Sequence, residues 1–342
     1  MIHMTNIVFA SDEGFVPQLT VAVASAVWAL CPGGEGMVVH VLDCGITDRA
    51  WGRFHRKMGE VSLKAGVNAN VVRHAVDLGL FSGLPGWTNG SRATWARILL
   101  PEILEDVPCC IYSDCDMLFL EDPAEILSEL KSSGLAILGH RNPFGDAGPD
   151  ARWFKEHGLP FDVKDYFCAG LIGMDLDWMR KNGTVSACWD FLRRFPNPVS
   201  MDQTVLNCVC AGHKGLLPDG WGVFTHECFT DGTRLKALHF SGGWPWAKAK
   251  NVYDAVCIRL SRPASELWRL FQREVLGLEP SASSVPNAFH AAVAMCVLAL
   301  CRTLCATGIR LRRIECLLEL VRSYGGPLCD IERAKSRMLR RG

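Results

Sequence analysis

The sequence lacks an excess of charge of either sign. Lysine plus arginine and aspartate plus glutamate each number 36 among 342 residues, so the formal net charge is zero. A nucleic-acid-binding protein normally carries a basic surplus, because it has to neutralise phosphates. We therefore expect no nucleic-acid partner. With 49% hydrophobic residues, the chain can bury the core of one large domain or of two ordinary ones.

Signals for secretion and for membrane spanning are also missing. The N-terminal sequence MIHMTNIVFASDEG has no basic segment followed by a long apolar one, which a secretion signal would require. The most apolar late stretch, AFHAAVAMCVLALC at 288–301, is shorter than the roughly 20 apolar residues that a spanning helix needs. The missing secretion signal, together with the reduced cysteines that we expect, predicts a cytoplasmic protein.

The 16 cysteines lack the spacing of a metal-binding motif. Neighbours such as Cys109 and Cys110, or Cys208 and Cys210, do not form two spaced CxxC pairs. A chain of this length does not need a disulfide scaffold. We expect reduced thiols that act as small apolar side chains.

What the sequence does contain is an alternation of strand-like and helix-like segments. Short apolar runs predict strands, and segments of helical periodicity separate them. The predicted strands are residues 6–11, 37–45, 68–76, 109–113 and 134–142, with a strand running into a helix at 166–180 and a short strand that ends in a Gly/Trp/Pro loop within 238–248. The predicted helices are residues 17–30, a helix capped by Thr47, 91–104 and 201–210. This order predicts a mostly parallel α/β sheet, in which ligands bind beyond the carboxyl ends of the strands.

Two aspartates separated by one residue follow the predicted strand at 109–113. In extended structure the side chains of Asp114 and Asp116 point the same way. Buried together they would repel each other, and a hard divalent cation such as Mg²⁺ or Mn²⁺ would resolve the conflict while leaving ligand positions for phosphate oxygens. A solvated acidic turn that ends at Asp122 is the alternative interpretation.

Six sequence blocks, all in register, resemble the family 8 glycosyltransferases. They are NIVFASDEGF, TWARILLPEIL, IYSDCDMLFLEDP, YFCAGLIGMDLDWMR, MDQTVLN and HFSGGWPW. The family comprises retaining enzymes of the GT-A fold, among them bacterial lipooligosaccharide galactosyltransferases and glycogenin. The resemblance implies a GT-A Rossmann-like α/β fold with a helical C-terminal extension. It also implies transfer of galactose or glucose from a UDP-sugar to a saccharide or glycolipid acceptor, in the synthesis of lipopolysaccharide or another surface glycan.

The resemblance further implies roles for individual residues. Asp114, Asp116 and His239 match the protein ligands of an Mn²⁺ or Mg²⁺ cofactor. Asp202 would bind sugar hydroxyls, and the Gln203 amide would stabilise positive character at the anomeric carbon while the acceptor attacks on the face that UDP leaves. The other donor-binding residues that the resemblance implies are Ala10, Ser11, Asp12, Phe15, Arg97, Cys115, Cys168, Ala169, Gly170, Gly242 and Gly243.

Two residues depart from the family pattern. Trp244 stands where the family has a lysine that neutralises diphosphate charge, with Lys248 or Lys250 as candidate replacements. Cys168 stands where an asparagine is common. These departures leave open an alternative function, a catalytically weak relative that binds nucleotide-sugar or glycan without efficient turnover. A metal-dependent nucleotidyltransferase is a third interpretation, but the segment after the first strand is not the Gly-rich, lysine-containing phosphate loop that it would need.

Each candidate residue also has an ordinary structural interpretation. Asp12 and Asp202 both suit a helix N-cap. Arg97 could pair with Glu102 on a helix surface, and His239 could be a half-buried histidine without a ligand. A functional interpretation is favoured because all of these positions fall at strand ends or helix starts on one edge of the predicted sheet.

The chain divides into a predicted catalytic domain, residues 1–263, and a predicted helical region, residues 264–342. Residues 288–342 carry ten basic and four acidic side chains. Basic amphipathic helices can lie on anionic membrane surfaces, which would place the protein peripherally at the inner face of a membrane. A helical cap packed on the catalytic domain is the equal alternative.

Overall fold

The protein is described from a computed structural model. It describes residues 4–87, 90–142, 148–225, 234–241, 244–246, 252–279, 295–297, 299–300 and 331–339. Four residues discussed above, Gly242, Gly243, Lys248 and Lys250, lie outside the described residues.

Strands and helices alternate along the described chain, as the sequence predicts. The strands are β1 Thr5–Ser11, β2 Met37–Asp43, β3 Ala69–Ala75, β4 Cys109–Ser113, β5 Met117–Phe119, β6 Ile137–Arg141, β7 Phe167–Asp175, β8 Lys214–Leu216, β9 Val223–Phe224 and β10 Ala237–His239. The helices are α1 Val16–Ala29, α2 Asp48–Ala65, α3 Leu100–Ile103, α4 Ala124–Ser133, α5 Pro149–Glu156, α6 Leu176–Lys181, α7 Thr184–Arg194, α8 Asp202–Val209, α9 Val252–Leu260, α10 Arg262–Glu274 and α11 Ile331–Leu339. Short 3-10 turns cover Glu13–Phe15, Leu78–Phe81 and Ala93–Leu99.

The central sheet has seven strands in the order β3-β2-β1-β4-β7-β6-β8. β7 is antiparallel to both of its neighbours, and the other adjacent pairs are parallel. The predicted mostly parallel sheet is therefore confirmed. A smaller sheet has the order β5-β10-β9, and in it His239 lies opposite Met117. This register brings the end of β10 beside the turn that follows β4.

Apolar side chains of the central sheet pack into a core on each of its faces. In β1, Ile7 and Phe9 belong to one core and Val8 to the other, because side chains of a strand alternate between its faces. All three are fully buried. The strand thus holds its carboxyl end, where candidate residues lie, on a rigid support.

Residues 93–99 form a 3-10 turn and not the α-helix that the sequence predicts for 91–104. Pro101 explains the difference, because in a continuous α-helix its ring would clash with the carbonyl of residue 97. In a 3-10 turn, side chains three residues apart lie one above the other. The turn therefore places Thr94 and Arg97 together, and both are buried.

The described C-terminal helices pack on the same core as α1. Trp268 and Phe271 of α10 are buried in it, and the indole N–H of Trp28 donates to the carbonyl of Met338 in α11 at 3.0 Å. The domain boundary predicted between residues 263 and 264 falls in the first turn of α10 and stays a prediction. None of the helices in the described part of the chain combines the length and the apolar character needed to cross a bilayer.

Candidate functional site

The turn after β4 brings three predicted metal ligands together. The backbone N–H of Asp114 donates to the carbonyl of Gly170 at 2.8 Å, and the N–H of Phe240 donates to the carbonyl of Asp116 at 2.9 Å. These bonds fasten the turn between β7 and the end of β10. As a result, one ligand atom from each of Asp114, Asp116 and His239 lies within 4.8 Å of the other two.

The carboxylate of Asp116 faces a histidine and a tryptophan. Its Oδ1 lies 3.3 Å from His239 Nε2, and its Oδ2 accepts a hydrogen bond from Trp244 Nε1 at 2.9 Å. Burial opposes ionisation of Asp116, but the His239 charge and the two hydrogen bonds outweigh it and lower the pKa of the carboxyl. Burial likewise opposes protonation of His239, and Asp116 outweighs it, so that the pKa of His239 lies well above its ordinary value.

The carboxylate of Asp114 is held by a buried arginine. Arg97 donates from Nη2 to Asp114 Oδ1 at 2.7 Å, and its Nε lies 2.9 Å from Asp202 Oδ2. The side chain of Arg97 is 3% exposed and also donates to the carbonyl of Ala169. Asp202 is fixed further by the Thr94 hydroxyl, which donates to its Oδ1 at 2.6 Å. Arg97 therefore links the turn after β4 to the start of α8. It does not form the surface pair with Glu102 that was the alternative interpretation.

The two neighbouring aspartates consequently differ in acidity. Burial raises the pKa of Asp114 to about 6; the Arg97 charge lowers it and the Asp116 charge raises it further. About a third of the Asp114 side chain remains exposed, 32%, compared with 12% for Asp116. Asp114 is thus the carboxylate of the pair that is more open to an incoming ligand.

Gln203 in the first turn of α8 has a fixed side chain. Its Oε1 accepts from the N–H of Ala169 at 3.1 Å, and its Nε2 donates to the Tyr166 hydroxyl at 3.4 Å. Tyr166 in turn donates to Asp150 Oδ1 at 2.7 Å. Just before the helix, Met201 has a φ of +48°, a left-handed value that costs about 1–3 kcal/mol in a residue other than glycine. The hydrogen bonds hold the start of α8 in one position beside β7, and the surrounding structure maintains the strained Met201 conformation.

The carboxyl end of β1 contributes the remaining predicted donor-binding positions. They are Ala10, Ser11, Asp12 and Phe15, with Cys115 across the sheet edge. Asp12 caps the 3-10 turn Glu13–Phe15 by accepting from the N–H of Phe15 at 3.2 Å, and its other oxygen accepts from Ser91 Oγ at 2.7 Å. Cys115 Sγ donates to the carbonyl of Ala10 at 3.3 Å. Asp12 is therefore an N-cap, as its ordinary structural interpretation predicts. It lies at the same sheet edge as Asp114.

A histidine that sequence reasoning missed lies behind His239. His140 is 1% exposed, and its Nε2 lies 3.2 Å from His239 Nδ1. The Cys168 sulfur completes a second group with these two rings, in which the ligand atoms lie within 4.8 Å of one another. Burial and the His239 charge hold the pKa of His140 well below its ordinary value. The signal in the sequence was weak, a polar pair at the end of the predicted strand 134–142.

The residues at the turn fit a hard divalent ion. Two carboxylates and one imidazole nitrogen are ligands that Mn²⁺ accepts, and Mg²⁺ is commonly bound through one or two carboxylates. Ligation by His239 requires a lone pair on Nε2, so an ion would displace the Nε2 proton that the raised pKa of His239 favours. Asp114, Asp116 and His239 are thus the residues that could hold a metal.

Comparison with known proteins adds a sequence family. The family described as "Glycosyl transferase family 8" matches residues 6–249. General stress protein A of Bacillus subtilis (strain 168) is 26% identical over 273 residues, which is 73% of this chain and 91% of that protein.

Two solved structures share the fold. The galactosyltransferase LgtC in complex with donor and acceptor sugar analogs superposes with a TM-score of 0.60 at 19% identity, covering 75% of this chain and 94% of that one. The glycosyltransferase GlyE of Streptococcus pneumoniae TIGR4 superposes with a TM-score of 0.53 at 16% identity, covering 82% of this chain and 66% of that one. At these identities the likeness is one of fold.

Proposed function

The chain belongs to glycosyl transferase family 8, and from this membership we propose that it moves a hexose, galactose or glucose, from a UDP-sugar to a hydroxyl of a saccharide or glycolipid. The proposed reaction depends on Mn²⁺ or Mg²⁺ and retains the configuration of the anomeric carbon. The predicted fold class is confirmed: the α/β sheet with its helical C-terminal part matches the GT-A fold of LgtC. Family membership establishes glycosyl transfer as the general activity, and the donor, metal and stereochemistry are the proposal.

One observation carries the proposal, the convergence of Asp114, Asp116 and His239 within 4.8 Å beyond the carboxyl end of β4. In α/β sheets this edge is where ligands bind. A divalent ion held there would act as a Lewis acid that neutralises charge developing on the UDP diphosphate. The same edge carries Asp12, which supports binding of the nucleotide next to the metal.

The remaining residues of the site would orient the donor. Arg97 holds Asp114 toward the metal position and Asp202 toward the sugar, because its guanidinium pairs with both carboxylates. Gln203 is fixed by Ala169 and Tyr166, so its amide would lie beside the anomeric carbon without needing to reorganise.

The bond changes of the proposed reaction follow from this arrangement. An amide is a poor covalent nucleophile, so the acceptor oxygen would form the new bond on the face from which the UDP oxygen departs. The acceptor proton would pass to the departing diphosphate. The anomeric carbon would have oxocarbenium-like character in the transition state, as in glycoside hydrolysis.

Trp244 favours a second candidate function, binding without efficient turnover. Its indole N–H, a neutral donor, bonds to Asp116 Oδ2 at 2.9 Å, at the point in the sequence where the family has a lysine. A neutral donor stabilises a leaving diphosphate less than a cation does. Low turnover with retained UDP binding would follow from that difference.

Release of UDP from UDP-galactose and UDP-glucose, with and without Mn²⁺, tests the proposal. We expect metal-dependent release, and we expect Asp114→Asn to reduce it by about 100-fold or more, because a ligand of the charge-neutralising ion is lost. The matched control is Asp190→Asn, which makes the same chemical change at an exposed surface pair on α7 and should leave release unchanged. Release that proceeds equally without metal would contradict the proposal, and tight UDP binding without turnover across a broad acceptor panel would support the binding protein instead.

A further inference from the structure

We propose that His140 is a positioning residue of the metal site: its Nε2 accepts a hydrogen bond from the Nδ1–H of His239 and so presents the Nε2 lone pair of His239 to the cation. His140 would contact no ion itself. Its role rests on the metal-dependent function proposed above and explains how His239 could serve as a ligand.

The proton positions follow from the hydrogen bonds, starting at a backbone carbonyl. His140 Nδ1 lies 3.1 Å from the carbonyl oxygen of Arg141, and a carbonyl can only accept, so Nδ1 carries a proton. A neutral imidazole has one N–H, which leaves a lone pair on His140 Nε2. That lone pair faces His239 Nδ1 at 3.2 Å, and His239 Nδ1 must therefore be the donor.

Charge and burial keep this arrangement in place. The two rings are 1% and 3% exposed, and a second proton on His140 would put a cation against His239 where water cannot solvate it. Because the Nδ1–H of His239 donates to His140, Nε2 of His239 faces Asp116, whose Oδ1 is 3.3 Å away. A histidine binds a metal ion through its unprotonated ring nitrogen. Its other ring nitrogen carries the proton and donates a hydrogen bond to a second residue.

Steric confinement prevents either ring from turning away. A Cβ on Gly170 would lie 2.4 Å from the His239 ring, and a Cβ on Gly222, where φ is +64°, would lie 2.4 Å from the His140 ring. Phe224 packs against both rings, with centroid distances of 5.1 Å to His140 and 4.7 Å to His239. The two glycines leave space for the rings, and Phe224 packs against both. The orientation of the rings, and with it the direction of the His239–His140 hydrogen bond, is therefore fixed by the fold.

The thiol of Cys168 is the competing acceptor for the same proton. Its sulfur lies within 4.8 Å of the ligand nitrogens of both rings. The Cys168 side chain also hydrogen-bonds to His239, but sulfur is a weak acceptor and the His140 lone pair lies 3.2 Å from His239 Nδ1. If His140 is the acceptor, substitution of His140 should weaken Mn²⁺ binding. If Cys168 is the acceptor, substitution of Cys168 should do so.

The test measures Mn²⁺ affinity of the full-length protein by the electron paramagnetic resonance signal of free Mn²⁺. His140→Met replaces the imidazole lone pair by a much weaker thioether acceptor at similar volume and should raise the Kd by about 10–100-fold, as losing the partner of a metal-bound histidine typically does. His140→Gln keeps an acceptor oxygen and should restore most of the affinity. Cys168→Ala removes the competing acceptor and should change the Kd less than His140→Met does.

A second readout is the nitrogen-15 spectrum of His239 in wild-type protein loaded with Mg²⁺, which is diamagnetic. The expected signature is a protonated Nδ1 and an unprotonated Nε2. This measurement decides the matter even if His140→Met does not fold.

Three results would overturn the role of His140 alone: unchanged Mn²⁺ affinity in a folded His140→Met protein, sensitivity of Cys168→Ala in its place, or a protonated Nε2 in the Mg²⁺-loaded protein. Failure of the wild-type chain to bind Mn²⁺ would instead remove the metal from the proposed function, and the role of His140 with it.

Discussion

Two pairs of hydrogen-bonded histidines in the described part of the chain share one hydrogen-bond pattern, although their ring planes meet at 35° in one pair and 83° in the other. At one edge of the central sheet, His40 Nδ1 of β2 lies 3.0 Å from His74 Nε2 of β3. At the site, His140 Nε2 lies 3.2 Å from His239 Nδ1. In the first pair the Nε2–H of His40 donates to the amide oxygen of Asn6 at 3.0 Å, just as the Nδ1–H of His140 donates to a carbonyl. Each pair therefore has a donor ring and a neutral acceptor ring.

What differs is the group beside the donor ring. Burial lowers the pKa of His74, and burial together with the His74 charge lowers the pKa of His40 to about 4, so this pair stays neutral. Asp116 beside His239 reverses the direction and raises the pKa of His239 despite its burial. One carboxylate thus turns a structural histidine pair into one that carries a positive charge, which a metal could replace.

The largest expected effect comes from the charge compensation at the site. Arg97 is the buried cation shared by Asp114 and Asp202, so Arg97→Met would remove the positive charge that compensates both carboxylates. We expect the free energy of unfolding to fall by about 3–5 kcal/mol. Urea denaturation followed by circular dichroism measures this loss.

An exposed ion pair provides the control for Arg97. Arg193 pairs with Asp190 on α7, and both side chains are more than half exposed, so Arg193→Met should cost less than about 1 kcal/mol. Equal losses in the two variants would show that buried charge compensation does not distinguish the site from the surface.

A smaller effect is expected from the space that the site pair needs. In Gly170→Ala the new methyl group would lie 2.4 Å from the His239 ring, so the ring or β7 must shift. We expect a loss of about 1–3 kcal/mol in unfolding free energy, typical of overpacking, together with weaker Mn²⁺ binding. Thermal unfolding and a metal titration of the same preparation measure both.

The matched control for Gly170 lies on α2. Gly52 has open space around its Cβ position, and replacing a helical glycine by alanine stabilises by about 0.5–1 kcal/mol. Opposite signs for the two substitutions are therefore expected. A stabilised Gly170→Ala protein with normal Mn²⁺ affinity would contradict the confinement of His239.

Much of the sheet could be predicted from the sequence, because its strands are apolar runs closed by turn residues. The prediction for residues 37–45 overran β2 by two residues, and the prediction for 109–113 matches β4. The short strands β5, β8 and β9 were missed, since two or three residues show no periodicity and exist through their pairing with distant partners.

The site was predictable in part, through motifs and family resemblance. Asp114 and Asp116 belong to a local pattern, and the family 8 assignment that placed His239 beside them is confirmed. The individual roles of these residues stay predictions. His140 belongs to no motif, and its contact with His239 joins residues 99 positions apart through the pairing of β10 with β5. The inward direction of Arg97 was also hidden, because it depends on the 3-10 turn before Pro101.

The smallest expected effect concerns the neutral pair and has a defined sign. The pKa of His40 is about 4 in the folded protein and about 6.5 when the chain unfolds. Below about pH 6.5 the unfolded chain therefore binds a proton at His40 that the folded protein does not bind. The free energy of unfolding falls as the pH falls from about 6.5 toward 4. Between pH 7.5 and 5.5 this contribution amounts to about 1 kcal/mol.

His40→Gln removes that titration while it keeps an acceptor for His74, so its stability should fall less steeply over the same pH range. Urea unfolding at pH 7.5, 6.5 and 5.5 measures the slope, which is independent of any constant change in stability that the substitution causes. If the slope of His40→Gln equals that of the wild-type protein, the β2–β3 pair is not held neutral by burial, and the contrast with the Asp116 pair loses its basis.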